Sequence, residues 1–196
     1  MLIGDVARVI ARPSTGYSDE VLARSRGEAT GIVLAAGVVA GLLSAASLAL
    51  EPSSVTVTGA GYGFSALLPV LFVGFWLIDA TIVDAVAQVM QAPSRLWVWA
   101  AASAHAIPWL IAFEVVRVVQ SLVDRTGALD AATGIGFAEF AVIAWFIWVL
   151  TAGVQAVYGL PRLNAVSVAL APPAAVMALL LVLIVAANIL HVAGVG

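Results

Sequence analysis

The residues of this sequence whose types could do chemistry lie inside long apolar runs. Asp79, Asp84, His105, Glu114 and Arg117 all occur in segments whose other residues are mostly lipid-soluble. An ionisable side chain near the bilayer centre costs about 2.5–3.5 kcal/mol on insertion scales, so each of them needs a partner or a function. A buried histidine beside an aspartate can relay a proton, hold a cation or simply join two helices.

Helical spacing decides which of these residues can meet. His105 and Glu114 are nine positions apart, and at about 100° per residue they lie on opposite faces of one helix. Asp79 and Asp84 bracket the depth of His105 on the preceding helix, which the short connection QAPSR makes a neighbour. We therefore expect His105 to hydrogen-bond one of the two aspartates. Fastening the two helices is the favoured role of this polar cluster, and a proton or cation relay is the alternative.

The second charged group in the third apolar run is a close pair. Glu114 and Arg117 are three residues apart, which is within pairing distance on a helix. We expect a local ion pair that lowers the insertion cost of both side chains. The alternative is that Glu114 faces a polar interior.

The sequence offers no set of residues for a metal ion, a cofactor or covalent catalysis. It contains two histidines and no cysteine, and it has neither a phosphate-binding glycine loop nor a nucleophile elbow. We therefore expect no cofactor, no metal and no enzymatic activity.

The composition requires a lipid environment. The chain has 196 residues, of which 63% are hydrophobic and 10% are charged, whereas an average soluble domain is about 25% charged. Its basic residues are all arginines and its net charge is -3, so no basic surface is available for nucleic acid. The composition indicates a membrane protein that does not bind nucleic acid.

The apolar runs predict an all-α polytopic membrane protein. A transmembrane helix needs about 20 mostly apolar residues to cross a hydrocarbon core of roughly 30 Å. A short amphipathic segment, residues 1–28, precedes a transmembrane domain over residues 29–196. Five transmembrane helices are predicted, at about 30–50, 64–90, 96–120, 135–158 and 170–192.

The placement of the arginines predicts the orientation in the membrane. With a cytoplasmic amino terminus, six arginines lie inside, while Arg117 and Arg125 lie toward the outside. The inner six are Arg8, Arg12, Arg24, Arg26, Arg95 and Arg162. The positive-inside rule therefore predicts a cytoplasmic amino terminus and an external carboxyl terminus.

The first residues of the chain have the spacing of an amphipathic helix. Val6, Val9 and Ile10 recur at helical intervals, and Asp5 lies on the other side. We expect a short helix in the plane of the lipid headgroups. The alternative is a terminus that becomes ordered only when it packs on the bundle.

Two further features predict how the spans are shaped and packed. Pro108 removes a backbone donor from the third span, which predicts a bend there. Gly37, Gly41 and Ala45 form a ridge of small residues on the first span. Such a ridge allows another helix to approach closely, and we expect that helix to belong to the same bundle.

The fourth predicted span ends in a recognisable turn within VQAVYGLPRLNAVS. The turn consists of Tyr158, Gly159, Leu160, Pro161 and Arg162. It resembles the turn before the last helix in bacterial members of the YIP family, the Ypt/Rab-interacting integral membrane proteins. A second pattern of that family, Tyr-Ser-x-x-Pro in the third span, is matched only at its proline.

The resemblance implies a non-enzymatic membrane scaffold in a bacterial inner membrane, acting through helix packing and through contacts with proteins or lipids. The expected partners are the lipid bilayer, an unidentified membrane protein and, in a homo-oligomer, further copies of the chain. The residues themselves suggest one alternative function. This is a small transporter, or a proton or cation channel, built on His105 with Asp79 and Asp84.

Overall fold

The computed structural model describes residues 2–50, 59–126 and 129–192, and all regular secondary structure within these ranges is helical. The all-α fold is therefore confirmed. A 3₁₀ turn, Ile107–Leu110, separates α6 from α7. The α-helices are α1 (Leu2–Ala11), α2 (Pro13–Gly16), α3 (Asp19–Leu22), α4 (Arg26–Leu50), α5 (Gly59–Val89), α6 (Leu96–Ala104), α7 (Ile111–Thr126), α8 (Leu129–Tyr158) and α9 (Arg162–Val192).

Most of the long helices can cross a bilayer by themselves. Among the described residues, α4, α5, α8 and α9 each contain a stretch that is long and apolar enough to span a bilayer. α6 and α7 together are also long and apolar enough, but they form a broken pair with a bend of 43°. Counting the broken pair as one span makes five. The prediction of a multi-pass membrane protein is confirmed, with its third span broken.

The break in the third span follows from Pro108. Its ring has no N–H and would clash with the carbonyl of residue 104 in a continuous α-helix. The backbone accordingly changes to tighter bonding: the N–H of His105 donates to Ala102 O at 3.2 Å, and that of Ala106 donates to Ser103 O at 2.8 Å. The predicted bend is therefore a change of helix type that begins before the proline.

The predicted loops require correction at three places, the first of which is the start of α5 at Gly59, five residues before the predicted start of the second span at 64. α9 begins at Arg162, eight residues before the predicted start of the fifth span at 170. Most of the predicted loop over 121–134 is also helical, and only residues 127 and 128 of it lie outside the described residues. The thickness of the bilayer determines the length of the apolar run in the sequence. The helix itself can continue beyond the lipid until its backbone is interrupted, so it can be longer than the apolar run. Residues 51–58 of the predicted loop after the first span are outside the described part.

α6 occupies the centre of the bundle. Every residue from Trp99 to Ile107 is buried, and α6 contacts α3, α4, α5 and α8. α9 differs, because over the part of it whose burial is described, residues 162–186, it is buried only near its start and is exposed throughout residues 173–186. α6 is thus the core of the fold, and α9 forms an edge.

One end of the bundle carries four of the eight arginines, Arg24, Arg26, Arg95 and Arg162, and we call it the arginine-rich end. It contains the beginning of α4, the α5–α6 connection and the α8–α9 turn. The Arg26 guanidinium lies over the Trp97 ring, 4.0 Å from its centroid, and that of Arg162 lies 4.5 Å from the centroid of Trp148. These cation–π contacts hold two charges against apolar rings.

The small-residue ridge on α4 packs against α5. A Cβ atom on Gly41 would lie 2.6 Å from the Ser65 carbonyl oxygen, and next to it the Ser65 hydroxyl donates to Ser44 Oγ at 3.1 Å. Gly37 meets α5 in the same way, at Pro69. Close approach of backbones is therefore required where the ridge contains glycine.

The Gly41→Ala variant tests this packing. We expect the added methyl group to lower the free energy of unfolding by about 1–3 kcal/mol, because the facing group is backbone and cannot rotate away. Gly31→Ala is the matched control on the same helix, since a Cβ there meets nothing within 4 Å. Reversible unfolding in detergent micelles measures both variants, and equal stabilities would contradict the packing account.

Candidate functional site

The arginine-rich end is organised around the carboxylate of Asp84, which is only 4% exposed. This carboxylate accepts four hydrogen bonds, from Gln88 Nε2 at 2.8 Å, Ser94 Oγ at 2.7 Å, the Arg95 backbone N–H at 2.8 Å and the Tyr158 hydroxyl at 2.8 Å. We call these five residues the Asp84 cluster. They join α5, the start of α6 and the end of α8.

The chain brings the start of α6 to Asp84 through a tight connection. α5 ends at Val89, and Gln91 then takes a left-handed conformation with φ of 65°. This turn places the Arg95 N–H, at the beginning of α6, against the carboxylate. A negative charge is favoured there, because the first N–H groups of a helix have no partner within the helix.

Arg95 extends the cluster to α8. Its guanidinium Nη1 donates to the Val157 carbonyl oxygen at 2.8 Å. The last carbonyls of a helix lack partners within the helix, so a basic side chain at this position satisfies one of them. Arg95 therefore binds α8 through its side chain and Asp84 through its backbone.

The turn that resembles the YIP family is part of this arrangement. Gly159 has φ of 68°, the left-handed conformation that ends an α-helix, and α9 begins directly after Pro161. Tyr158 points back to Asp84, and Leu160 packs against the core. The turn reverses the chain between α8 and α9 while its tyrosine fastens α8 to α5.

His105 does not form the predicted hydrogen bond with Asp79 or Asp84, so that prediction is wrong. The His105 ring is fully buried, with Nδ1 2.9 Å from Ala101 O, and Nε2 has no hydrogen-bond partner among the described residues. Trp76 makes the α5–α6 contact instead, because its Nε1 lies 3.1 Å from both Ala100 O and Ser103 Oγ. The predicted cluster of three residues is therefore separated into three environments.

The Glu114 and Arg117 side chains lie close together on α7. The distance between Arg117 Nη1 and Glu114 Oε1 is 3.4 Å, and the Arg117 side chain is 49% exposed. The Glu114 side chain is 15% exposed, and an ion pair with one exposed partner contributes little to stability. The pair lowers the cost of placing both charges in the membrane, but it does not connect α7 to a neighbouring helix.

We expect the Glu114→Gln variant to change the free energy of unfolding by less than about 1 kcal/mol, because exposed ion pairs contribute only that much. Arg117→Gln is the matched change on the other partner. Thermal unfolding in micelles is the measurement. A loss several times larger would show that Glu114 has a further, buried partner.

Residues 2–25, which we call the amino-terminal segment, pack into the bundle. The Tyr17 hydroxyl donates to Val149 O at 3.2 Å, and Trp145 Nε1 donates to Ile10 O at 2.8 Å. A Cβ on Gly153 would lie 2.8 Å from Tyr17 Cζ. The segment is therefore held against α8 by polar contacts and by close packing, as expected from the alternative of a terminus that packs on the bundle.

An ion pair folds the amino-terminal segment on itself. Arg24 hydrogen-bonds Asp5, which is 5% exposed although its spacing predicted a place on the polar side of α1. The Arg24 guanidinium holds the pKa of the Asp5 carboxyl below its ordinary value. Arg24 also donates to Glu28 Oε1 at 3.2 Å, at the start of α4. The pair thus links α1 to the beginning of the bundle.

Sequence reasoning missed most members of the Asp84 cluster. The available signal was local: Asp84 and Gln88 lie one turn apart near the end of a helix, and Ser94 and Arg95 open the next one. Tyr158 was singled out only for its turn. Among the described residues, no group of three or more His, Cys, Asp or Glu side chains could hold a metal ion.

Comparison with known proteins gives one match. The family model described as the Yip1 domain matches residues 7–184, a range that begins in α1, contains the Asp84 cluster and ends in the exposed part of α9. No curated protein matches the chain, and no solved structure matches it. The matched range includes most of the amino-terminal segment together with the spans.

Proposed function

Because the chain belongs to the Yip1 domain family, we propose that it is a non-enzymatic membrane scaffold, which acts through helix packing and through contacts with other membrane proteins or lipids. The observation that carries the proposal is the state of Asp84. All four of its hydrogen bonds come from within the chain and fasten three helices together. A carboxylate held in this way stabilises a shape and is not free for proton transfer.

The surface of the bundle supports a role in contacts. In the exposed part of α9, Met177 is 66% exposed, Leu179 is 59% exposed and Leu181 is 63% exposed. Apolar side chains of this kind suit lipid or the helix of another membrane protein. We propose the bilayer, an unidentified membrane protein and further copies of the chain as the partners of this surface.

The proposed location is a bacterial inner membrane. We propose that the arginine-rich end faces the cytoplasm, with the amino terminus inside and the carboxyl terminus outside. The support is the gathering of Arg24, Arg26, Arg95 and Arg162 at one end of the bundle, where the positive-inside rule expects basic residues.

The structure does not support the alternative function, a transporter or channel. This alternative required His105 to share a polar path with Asp79 and Asp84. Asp84 is instead occupied within its cluster, and the His105 ring is fully buried with its Nδ1 on Ala101 O, away from both aspartates. Conduction needs polar groups that an ion can reach and leave.

Proton flux into liposomes tests the proposal. We expect liposomes that contain the purified protein to take up protons no faster than protein-free liposomes under the same pH gradient, measured with an entrapped pH-sensitive dye. His105→Ala and Asp79→Asn are the paired variants. Flux above the protein-free level that either variant abolishes would overturn the scaffold proposal in favour of conduction.

A further inference from the structure

A cavity of about 250 Å³ lies between α5, the break in the third span and α8. It is lined by Asp79 and four aromatic residues, together with Ile107 and Leu110 of the 3₁₀ turn. The aromatic residues are Phe72, Phe75, Trp76 and Phe146. Ligand cavities range over about 300–1,000 Å³, so this cavity lies just below that range and has room only for a small molecule.

Asp79 has no partner within the part of the chain that the structure describes. Its carboxyl group makes no hydrogen bond or ion pair there, in contrast to Asp84 five residues later, which makes four hydrogen bonds. Asp79 lies ten residues before the end of α5 at Val89, which is about 15 Å at 1.5 Å per residue. A carboxyl group at this depth in the membrane is unfavourable without a partner. A ligand in the cavity could provide that partner.

The aromatic rings indicate that the ligand of this cavity is positively charged. Trp76 uses its N–H within the protein, on Ala100 O and Ser103 Oγ, and therefore offers a ligand only its ring surface. Ring faces attract cations, and aromatic residues beside a carboxylate form the usual surroundings of a substituted ammonium group. An anion would be repelled by Asp79. A divalent metal ion needs more oxygen ligands than this single carboxylate supplies.

We propose that this cavity binds a small apolar monocation, an amine or quaternary ammonium compound whose charge lies against Asp79 and whose apolar part lies against the aromatic rings. The ligand enters from the membrane side, where Phe75 is 63% exposed. This site is separate from the Asp84 cluster and does not depend on the scaffold function.

The test compares two probes of the same shape, benzyltrimethylammonium and its uncharged carbon isostere neopentylbenzene. Isothermal titration calorimetry is carried out on the full-length protein in maltoside micelles, with protein-free micelles as the blank. We expect the cation to bind the wild-type protein at least about tenfold more tightly than the isostere. Asp79→Asn should remove this preference, whereas Glu139→Gln, which removes one negative charge outside the cavity, should keep it.

A second variant, Phe75→Leu, tests whether the aromatic rings contribute to cation binding. Phe75→Leu retains an apolar side chain and removes one ring face, so we expect cation binding to weaken about two- to fivefold, with binding of the isostere unchanged. Equal binding of both probes by the wild-type protein would overturn the proposal, because the cavity would then be apolar only. Absence of cation binding, or the same cation affinity in Asp79→Asn, would also overturn it.

Discussion

Replacing Asp84 with alanine is expected to lower the free energy of unfolding by about 3–5 kcal/mol. The variant leaves four donors without their acceptor in a site where Asp84 itself is 4% exposed. Hydrogen bonds to a charged group contribute about 1.5–3 kcal/mol each, and they are not additive. Losing one partner of a fully buried charged network costs about 3–5 kcal/mol, and we expect the lower end of this range because the exposed Gln88 and Ser94 side chains can turn to water. Reversible unfolding in micelles measures the loss.

Asp79→Ala is the matched control for Asp84→Ala. Both residues are intramembrane aspartates of α5, but Asp79 makes no hydrogen bond within the described part of the chain, so its variant should be neutral or slightly stabilising. If the two variants lost the same stability, the loss would reflect the removal of a charge and not the cluster.

Enlarging Gly153 is expected to release the amino-terminal segment from the bundle. A Cβ atom there would lie 2.8 Å from Tyr17 Cζ and 3.0 Å from Trp99 Cζ3. Trp99 is fixed in the centre of the bundle, so Tyr17 must move. For Gly153→Ala we expect docking to weaken by about 1–3 kcal/mol. Hydrogen exchange over residues 2–25 should then become roughly five- to hundredfold faster.

Two controls separate local release from general unfolding. Gly74→Ala adds the same methyl group on α5, where a Cβ meets nothing within 4 Å, and it should leave exchange unchanged. In Gly153→Ala itself, exchange in α5 and α9 should stay slow. Faster exchange throughout the chain would show that Gly153 supports the whole core, and unchanged exchange at residues 2–25 would mean that the segment is not held by Tyr17.

The fold was largely predictable because lipid imposes a simple rule on sequence. Apolar runs of about 20 residues indicate spans, and Pro108 indicated where the third span departs from a straight helix. Helix ends were less predictable. α9 begins at Arg162 because the helix extends beyond its lipid-soluble part, and hydropathy does not register that extension.

The site was less predictable, because its contacts join distant parts of the chain. Tyr158 and Asp84 are 74 positions apart, and Tyr17 and Val149 are 132 apart. Depth along neighbouring helices suggested His105 as the partner of an aspartate. The change of helix type at Ala104 altered the direction of the His105 ring, and Trp76 already filled the interface. Depth alone does not specify which side chains meet.

The central claim is that Asp84 and Tyr158 act together to fasten the arginine-rich end of the bundle. A double-mutant cycle measures this directly, from the free energies of unfolding of wild type, Asp84→Ala, Tyr158→Phe and the double variant. We expect a coupling energy of about 1.5–3 kcal/mol, since Tyr158→Phe removes a hydrogen bond that Asp84→Ala has already removed. Losses that add to within about 0.5 kcal/mol would contradict the claim, because the two residues would then stabilise the protein independently.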